Sequence, residues 1–181
     1  MRVLAQDDLR TVAFKVCTAL HESGVTAVLT GGSAATVYAP EAYQSKDLDF
    51  VLQFVDGLGG KDAERVLEGL GYAPENNQYV HPDNPLSLDF LSYPLAIGGD
   101  IIDRWATLNQ AGMILHVLSP TDCCRDRLAH FLHWDDRAAL SQAVAVAHNH
   151  KVDLAAIRSW CERENQSEKF REFERTLGAG R

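Results

Sequence analysis

The feature that most constrains this chain is a buried-strand pattern that runs directly into two glycines. Residues 25–30 read Val-Thr-Ala-Val-Leu-Thr, a β-branched and apolar run that predicts a buried strand. Gly31 and Gly32 follow, and because neither has a Cβ, the chain can turn sharply there. Residues 34–39 then have a helical pattern. A glycine turn that opens a helix presents unpaired backbone N–H groups, which favour a bound phosphate, and the Ser33 hydroxyl can add one donor.

A second motif consists of Asp47, Leu48, Asp49 and Phe50, in which acidic and apolar residues alternate. On a β-strand, side chains two residues apart project from the same face, so the aspartates share one face and the apolar pair the other. Two carboxylates on one face of an apolar strand repel each other and lose hydration. A cation between them compensates this cost in free energy. Mg²⁺ takes oxygen ligands of this kind, and the motif therefore predicts a divalent metal site.

A third carboxylate, Asp89, lies in the middle of the apolar strand predicted at 86–91. The alternating pattern favours Leu or Val at this position, so an acid there indicates a functional role. Two-metal phosphoryl-transfer sites hold their ions roughly 3.5–4 Å apart, and three carboxylates on adjacent strands are the fewest that could hold such a pair. We predict that Asp89 is a metal ligand and a candidate proton acceptor for an attacking hydroxyl. Taken alone, it could equally be a strand-end acid bonded to a nearby turn.

Together these motifs resemble the signature of the nucleotidyltransferase superfamily, which includes DNA polymerase beta. The signature combines an apolar residue, Gly, and Gly or Ser with a later Asp-apolar-Asp-apolar strand and a third acid. The matching positions are Thr30, Gly31, Gly32, Ser33, Asp47, Asp49 and Asp89. The resemblance implies nucleotide phosphates bound at Gly31, Gly32 and Ser33, and divalent metal on the three aspartates. The implied cofactor is Mg²⁺ in a two-metal site, with Mn²⁺ as the alternative ion.

By this resemblance the protein is expected to be a metal-dependent nucleotidyltransferase that moves a nucleoside monophosphate from a nucleoside triphosphate to an acceptor hydroxyl. The implied acceptor is tRNA, a protein side chain or a small molecule. Two alternatives stay open at this point. One is a non-catalytic interaction or regulatory protein with the same fold. The other is an aminoglycoside-type nucleotidyltransferase, which would need an acidic pocket for a cationic drug; Asp83, Asp100 and Asp103 are the candidates for its lining.

Within the superfamily, the chain is most similar to bacterial proteins related to the AbiEii abortive-infection toxins of type IV toxin–antitoxin systems. Their Ser/Thr-Lys-Asp-apolar-Asp-Phe string corresponds to residues 45–50, which implies nucleotide-binding roles for Ser45 and Lys46. Many relatives have an arginine shortly before this string. This chain has none there, so the triphosphate charge would fall mainly on Mg²⁺ and Lys46. A further helix in those proteins carries a basic residue and a later acid, matched here by Arg127 and Asp136. The match implies a nucleotide-binding role for Arg127, for which a surface salt bridge is the alternative. The resemblance also implies an antitoxin as a partner.

The order of predicted elements divides the chain into residues 1–120, an α/β catalytic core, and residues 121–181, a C-terminal helical region. The predicted fold class is α+β, with a small mixed β-sheet and flanking helices. A first helix is capped by Asp8 and stopped by Gly24. The other predicted elements are a helix at 61–70, strands at 79–80, 86–91 and 113–118, helices at 122–134, 136–147 and 153–163, and a final segment that docks through Phe170, Phe173 and Leu177.

Composition limits the partners and the compartment. The 181-residue chain has a formal net charge of −8, which disfavours an extended nucleic-acid footprint. No apolar run of the sequence approaches transmembrane length, and the start of the chain lacks a signal-peptide pattern. The four cysteines show no Cys-x-x-Cys spacing, as expected in a reducing compartment. We therefore expect a cytoplasmic protein with no membrane partner.

The aromatic residues of the second half have two competing interpretations. Trp105, Trp134 and Trp160 are predicted to pack in the core or between regions of the protein instead of stacking on a base. His130 and His133 lie near one face of a predicted helix, where a zinc site is the alternative to a structural role. Because they lack cysteine or acidic partners at ligand spacing, the structural role is the prediction.

Overall fold

The computed structural model describes residues 1–54, 60–91 and 93–180. The helices are α1 (Leu9–Glu22), α2 (Gly31–Tyr38), α3 (Gly60–Leu70), α4 (Pro120–Trp134), α5 (Arg137–Asn149), α6 (Leu154–Arg163) and α7 (Ser167–Ala179). The strands are β1 (Val25–Leu29), β2 (Asp47–Phe54), β3 (Ala73–Glu75), β4 (Gln78–Val80), β5 (Ser87–Leu91), β6 (Ala96–Ile97), β7 (Asp100–Ile101), β8 (Ala106–Gln110) and β9 (Met113–Val117). In the described part of the chain, no helix is both long and apolar enough to cross a membrane.

Seven of these strands form one mixed sheet, in the order β3-β4-β5-β2-β1-β9-β8. At its centre, β1 pairs antiparallel with β2 and parallel with β9. β2 in turn pairs parallel with β5. The strands β6 and β7 form a separate antiparallel pair. The mixed sheet, the flanking helices and the helical C-terminal region confirm the predicted α+β class.

Helix α1 fixes the central strands from one side. It begins after Asp8, whose carboxylate accepts a hydrogen bond from the Thr11 backbone N at 2.8 Å, so the predicted cap is present. Its apolar stripe, which includes Val12, Val16 and Leu20, is fully buried and packs over β1 and β9. Burial of each such side chain stabilises the fold by about 1.5–3 kcal/mol. This packing holds β1 firmly where it leads into the glycine turn.

Helix α2 begins earlier than the sequence pattern predicts. The predicted helix starts at residue 34, but the observed helix starts at Gly31, directly after Thr30. Both glycines therefore lie in the first helical turn and not in a loop before it. All of α2 is buried, between β2 on one side and the helices α4 and α5 on the other. This burial places the start of α2 against the acidic strand β2.

The C-terminal helices form a layer that reaches back to α2. Helices α4 and α5 are joined by Asp135, which has a left-handed backbone (φ 55°), and by Asp136. The Asp136 carboxylate accepts hydrogen bonds from the backbone N atoms of Ala138 and Ala139. Asp136, which the sequence analysis matched to an acid of the AbiEii-related proteins, is therefore the N-cap of α5. Helix α7 buries its apolar side chains, which confirms the predicted docking of the last segment; these are Phe170, Phe173 and Leu177.

The β6–β7 hairpin connects the sheet half of the protein to this helical layer. The Asp100 carboxylate on β7 accepts hydrogen bonds from Arg125 of α4 and from Arg163 of α6. Two arginines on one carboxylate compensate its charge. Asp100, a candidate for the lining of a drug pocket, is therefore engaged within the protein.

Candidate active site

The first turn of α2 lies directly against Asp49. Gly31 has a left-handed backbone (φ 65°), a conformation that favours glycine. A Cβ on Gly31 would lie 2.3 Å from Asp49 Oδ2, closer than atoms approach without displacement. Gly32 is also confined, since its Cβ would lie 3.2 Å from the Tyr43 ring and 3.4 Å from Ser45 Oγ. The two glycines thus allow the helix start and the acidic strand to meet.

Three aspartates come together on the neighbouring strands β2 and β5. The parallel register places Asp49 directly beside Asp89, and Asp47 lies two residues earlier on the same face of β2. One carboxylate oxygen from each of the three lies within 4.8 Å of the others. All three side chains are partly buried. The sequence-predicted acids therefore form a single cluster with oxygen donors only, which suits Mg²⁺ or Mn²⁺.

The electrostatics of the cluster also favour a cation. Burial, together with the negative charges of Asp47 and Asp89, raises the pKa of Asp49 to about 6. Arg127 acts in the opposite direction and lowers the pKa of Asp49, but it does not cancel the effect of burial and repulsion. A divalent ion between the carboxylates would relieve this repulsion, so the residues present fit the metal that the resemblance implies.

Ser45 links Asp47 to the helix α2. Its hydroxyl donates to Asp47 Oδ1 at 2.9 Å, and its backbone N donates to Thr36 Oγ1 at 3.1 Å. Thr36 itself donates to the carbonyl of Gly32 at 3.0 Å. Ser45 therefore lies in the candidate site, where it orients the first aspartate; a direct contact with nucleotide stays a prediction.

Ser33 has a different environment from the one expected of a phosphate donor. It is fully buried, and its hydroxyl donates to the Thr30 carbonyl at 2.8 Å. The same oxygen accepts a hydrogen bond from the Asp49 backbone N at 3.2 Å. Ser33 thereby joins the start of α2 to the acidic strand, and its proton is used inside the protein. Its contact with phosphate stays a prediction.

Gln78 is a member of the site that the sequence analysis did not identify. Its side-chain Nε2 donates to Asp89 Oδ2 at 2.7 Å. It lies on β4, where the pairing of Tyr79 with Leu88 brings Gln78 opposite Asp89. The preceding Asn76 and Asn77 both have positive φ, the pattern of a tight hairpin turn, and this Asn-Asn signal could have predicted the hairpin. Gln78 holds one oxygen of the third aspartate in place.

The two basic residues predicted to bind nucleotide lie in contrasting environments. Arg127 is buried on α4 and forms an ion pair with Asp126 at 2.7 Å, and its charge reaches Asp49. Lys46 is exposed beside Asp47. The Arg127 charge thus acts on Asp49 although the guanidinium is paired with Asp126, whereas the Lys46 side chain is exposed. Phosphate contacts of both residues remain predictions.

The tryptophans do not all pack as predicted. Trp160 is 1% exposed and Trp105 is partly buried, but Trp134 is 72% exposed. The packing prediction is therefore wrong for Trp134. The reason is its position as the last residue of α4, where the helix ends in solvent. Its ring lies beside that of His130, with centroids 5.2 Å apart.

The fold has counterparts among solved structures. An antigenic nucleotidyltransferase-like protein from Paracoccidioides brasiliensis superposes with a TM-score of 0.59 and 17% identity, covering 79% of this chain and 77% of that chain. The fold is that of a nucleotidyltransferase-like protein. The antibiotic-resistance factor ANT(2'')-Ia gives a TM-score of 0.49 and 16% identity over 94% of this chain and 95% of that one. No family model matches the sequence, and no curated protein matches it either. In this chain the acidic cluster of β2 and β5 lies beside the start of α2.

Proposed function

We propose that this protein is a metal-dependent nucleotidyltransferase, which transfers a nucleoside monophosphate from a nucleoside triphosphate to an acceptor hydroxyl. The observation that carries the proposal is the aspartate cluster at the glycine-led start of α2. Asp47, Asp49 and Asp89 offer oxygens within 4.8 Å of one another. Asp49 lies so close to Gly31 that a side chain at position 31 would clash with its carboxylate. Backbone N–H groups and carboxylates thus meet at one point, as triphosphate and metal together require.

The residues divide into metal-binding and phosphate-binding groups. Asp47 and Asp49 would hold the divalent metal, Mg²⁺ or Mn²⁺, with Asp89 as the third ligand. The first turn of α2, from Gly31 onward, would face the triphosphate. When bound, the metal supplies positive charge that neutralises the phosphates and polarises the phosphorus under attack. Ser33 and Ser45 position this machinery, and Lys46 and Arg127 would add positive charge near the phosphates.

The reaction follows from this arrangement. The acceptor oxygen attacks the α-phosphorus, a new P–O bond forms, and the bond to the β-phosphate oxygen breaks, so that pyrophosphate leaves. The acceptor proton passes to Asp89, which Gln78 holds by its hydrogen bond of 2.7 Å. The chain's own contribution is mainly alignment of the two reactants.

Acceptor and partner are extensions of the same proposal. We propose tRNA, a protein side chain or a small molecule as the acceptor, and toxin-like activity controlled by an antitoxin as the biological setting, on the basis of the resemblance at residues 45–50. The aminoglycoside-type alternative is not favoured by a specific contact. Asp100, a candidate for the lining of such a drug pocket, accepts hydrogen bonds from Arg125 and Arg163.

Calorimetric titration tests the proposal without knowledge of the acceptor. Each nucleoside triphosphate is titrated with and without Mg²⁺ into the wild type and into an Asp47→Asn, Asp49→Asn double variant. Asp103→Asn is the matched control, since it removes an exposed carboxylate outside the cluster. We expect metal-dependent binding in the wild type and the control, and none in the double variant. Transfer of α-labelled nucleotide into total tRNA or protein then identifies the acceptor class.

Absence of nucleoside triphosphate binding would contradict the proposal. If the folded wild type binds no nucleoside triphosphate with Mg²⁺ or Mn²⁺, the enzyme proposal fails. The non-catalytic interaction protein of the same fold would then be the better interpretation.

A further inference from the structure

The Tyr43 side chain lies against the start of helix α2. A Cβ on Gly32 would lie 3.2 Å from Tyr43 Cε1 and 3.7 Å from the Tyr43 hydroxyl oxygen. The same Cβ would lie 3.4 Å from Ser45 Oγ, which donates to Asp47 Oδ1 at 2.9 Å. A continuous set of contacts thus leads from the Tyr43 ring, past the glycine turn, to the first aspartate of the cluster. Tyr43 therefore belongs to the candidate active site.

The segment between α2 and β2 holds Tyr43 in this place. On one side of Tyr43, the Ala42 backbone N donates to the Ala39 carbonyl at 3.1 Å. On the other side, the Ser45 backbone N donates to Thr36 Oγ1 at 3.1 Å, which brings the segment back along α2. The backbone is thus fixed on both sides of Tyr43, while 37% of the residue is exposed and can be reached by a ligand.

The Tyr43 hydroxyl differs from the other hydroxyls around the start of α2. Each of those donates a hydrogen bond to a carbonyl or a carboxylate of the protein; they belong to Thr30, Ser33, Thr36 and Ser45. Their protons are therefore used within the protein. In the part of the chain that the structure describes, the Tyr43 hydroxyl has no hydrogen-bond partner. Its proton can be donated to a ligand at this end of α2.

A triphosphate at this position needs donors besides the metal. Between Ser33 and Lys46 the sequence has no arginine or lysine, and Lys46 itself is exposed. The aspartates close by repel an anion. The first backbone N–H groups of a helix supply some donors, because they have no partner within the helix. A neutral phenol O–H beside them supplies one more.

We propose that Tyr43 is a triphosphate-binding residue, whose hydroxyl donates a hydrogen bond to the phosphate chain of the nucleotide at the start of α2. This inference rests on the proposed function, and it adds a residue that the sequence motifs did not include. The chemistry recognised is that of a metal-bound polyphosphate, so the contact is independent of the base. A ring that only packed against Gly32 would need no hydroxyl, and phenylalanine would serve equally well.

Tyr43→Phe tests the hydroxyl alone, because it keeps the ring that lies against Gly32. Each nucleoside triphosphate and inorganic triphosphate are titrated with Mg²⁺ into the wild type and the variant by calorimetry. We expect Tyr43→Phe to bind all of them roughly tenfold more weakly, since it lacks a hydrogen bond to a charged group. Its affinity for Mn²⁺ alone should equal that of the wild type. Tyr93→Phe, at an exposed tyrosine between β5 and β6, is the matched control and should bind triphosphates normally.

Three results would overturn the role given to Tyr43. One is an affinity for nucleoside triphosphates that Tyr43→Phe leaves unchanged. Another is a loss confined to nucleoside triphosphates, with inorganic triphosphate bound normally, which would assign the hydroxyl to the base or the sugar. The third is an equal loss of affinity for Mn²⁺ alone, which would indicate a displaced aspartate cluster instead of a missing phosphate contact.

The failure of this inference can be told apart from the failure of the proposed function. If the wild type binds nucleotide with metal and the Asp47→Asn, Asp49→Asn double variant does not, an unchanged Tyr43→Phe defeats the Tyr43 contact alone. If Tyr43→Phe loses affinity as expected but the wild type transfers no labelled nucleotide to any acceptor, the transfer reaction fails and the phosphate contact stands. If the wild type binds no nucleotide, both proposals fall together.

Discussion

Gly31 and Asp49 are in such close contact that a single added carbon atom would separate them. A Cβ on Gly31 would lie 2.3 Å from Asp49 Oδ2, and the backbone there is left-handed. We expect Gly31→Ala to lower the free energy of unfolding by about 1–2 kcal/mol for the backbone alone and to displace the aspartate. Metal binding, measured by calorimetry with Mn²⁺, should then be lost.

The matched control for this substitution is Gly69→Ala. Gly69 lies on the exposed side of α3, and a Cβ there meets no atom within 4 Å. Alanine in a helix is favoured over glycine by about 0.5–1 kcal/mol, so this variant should be slightly more stable and should bind Mn²⁺ normally. Equal metal affinity in Gly31→Ala and Gly69→Ala would contradict the role given to Gly31.

The raised pKa of Asp49 predicts how stability depends on pH in the absence of metal. Its pKa is about 6 in the folded protein, against 3.8 for an ordinary aspartate. The folded state therefore binds more protons between these values, and the free energy of unfolding falls as the pH rises through this window. Asp49→Asn removes the carboxylate and should be the more stable protein at pH 8 by about 1 kcal/mol, once solvent screening of a partly exposed group is allowed for. Urea unfolding at pH 5 and pH 8 in EDTA measures this difference. A wild type that gains stability between these two pH values would oppose the prediction.

The same proton competes with the metal. Since Asp49 must be ionised to bind a cation, its pKa of about 6 means that metal binding displaces a proton in more acidic solution. As the pH is raised from 5 to 6, we expect the affinity for Mn²⁺ to increase by up to about tenfold. Above pH 7 the affinity should level off. Titrations at pH 5, 6, 7 and 8 follow this change, with proton release detected by the dependence of the measured heat on the buffer. An affinity that is constant from pH 5 to 7 would count against Asp49 as a ligand.

Much of the site could be predicted from the sequence because its main signals are local. Asp47 and Asp49 lie two residues apart on one strand, and the period of a strand puts them on one face. Asp89 stood out as an acid in an apolar strand, and the parallel register brought it beside Asp49. Each of these inferences needed only the pattern of a short segment.

The parts that were missed depend on contacts between distant segments. Gln78 reaches Asp89 only because β4 pairs with β5, and a lone glutamine gives no sign of that pairing. Strand β8 was not predicted, since it lies at the edge of the sheet and is largely exposed, so its pattern is weakly apolar. The exposure of Trp134 depends on where α4 ends relative to its neighbours, which residue type does not determine.

Gln78 provides the last prediction, which concerns the position of Asp89. A hydrogen bond to a charged group contributes about 1.5–3 kcal/mol when it is buried, and less at this partly exposed site. We expect Gln78→Ala to leave the fold intact, to weaken Mn²⁺ binding by about tenfold, and to lower the transfer rate. Gln78→Glu keeps the shape but sets a fourth carboxylate against Asp89. Repulsion should raise the pH needed for metal binding in this variant, an effect that simple loss of structure would not produce. Gln53→Ala, an exposed glutamine on β2, is the control. If Gln78→Ala and Gln53→Ala bind Mn²⁺ equally well, Gln78 does not position Asp89 for the metal.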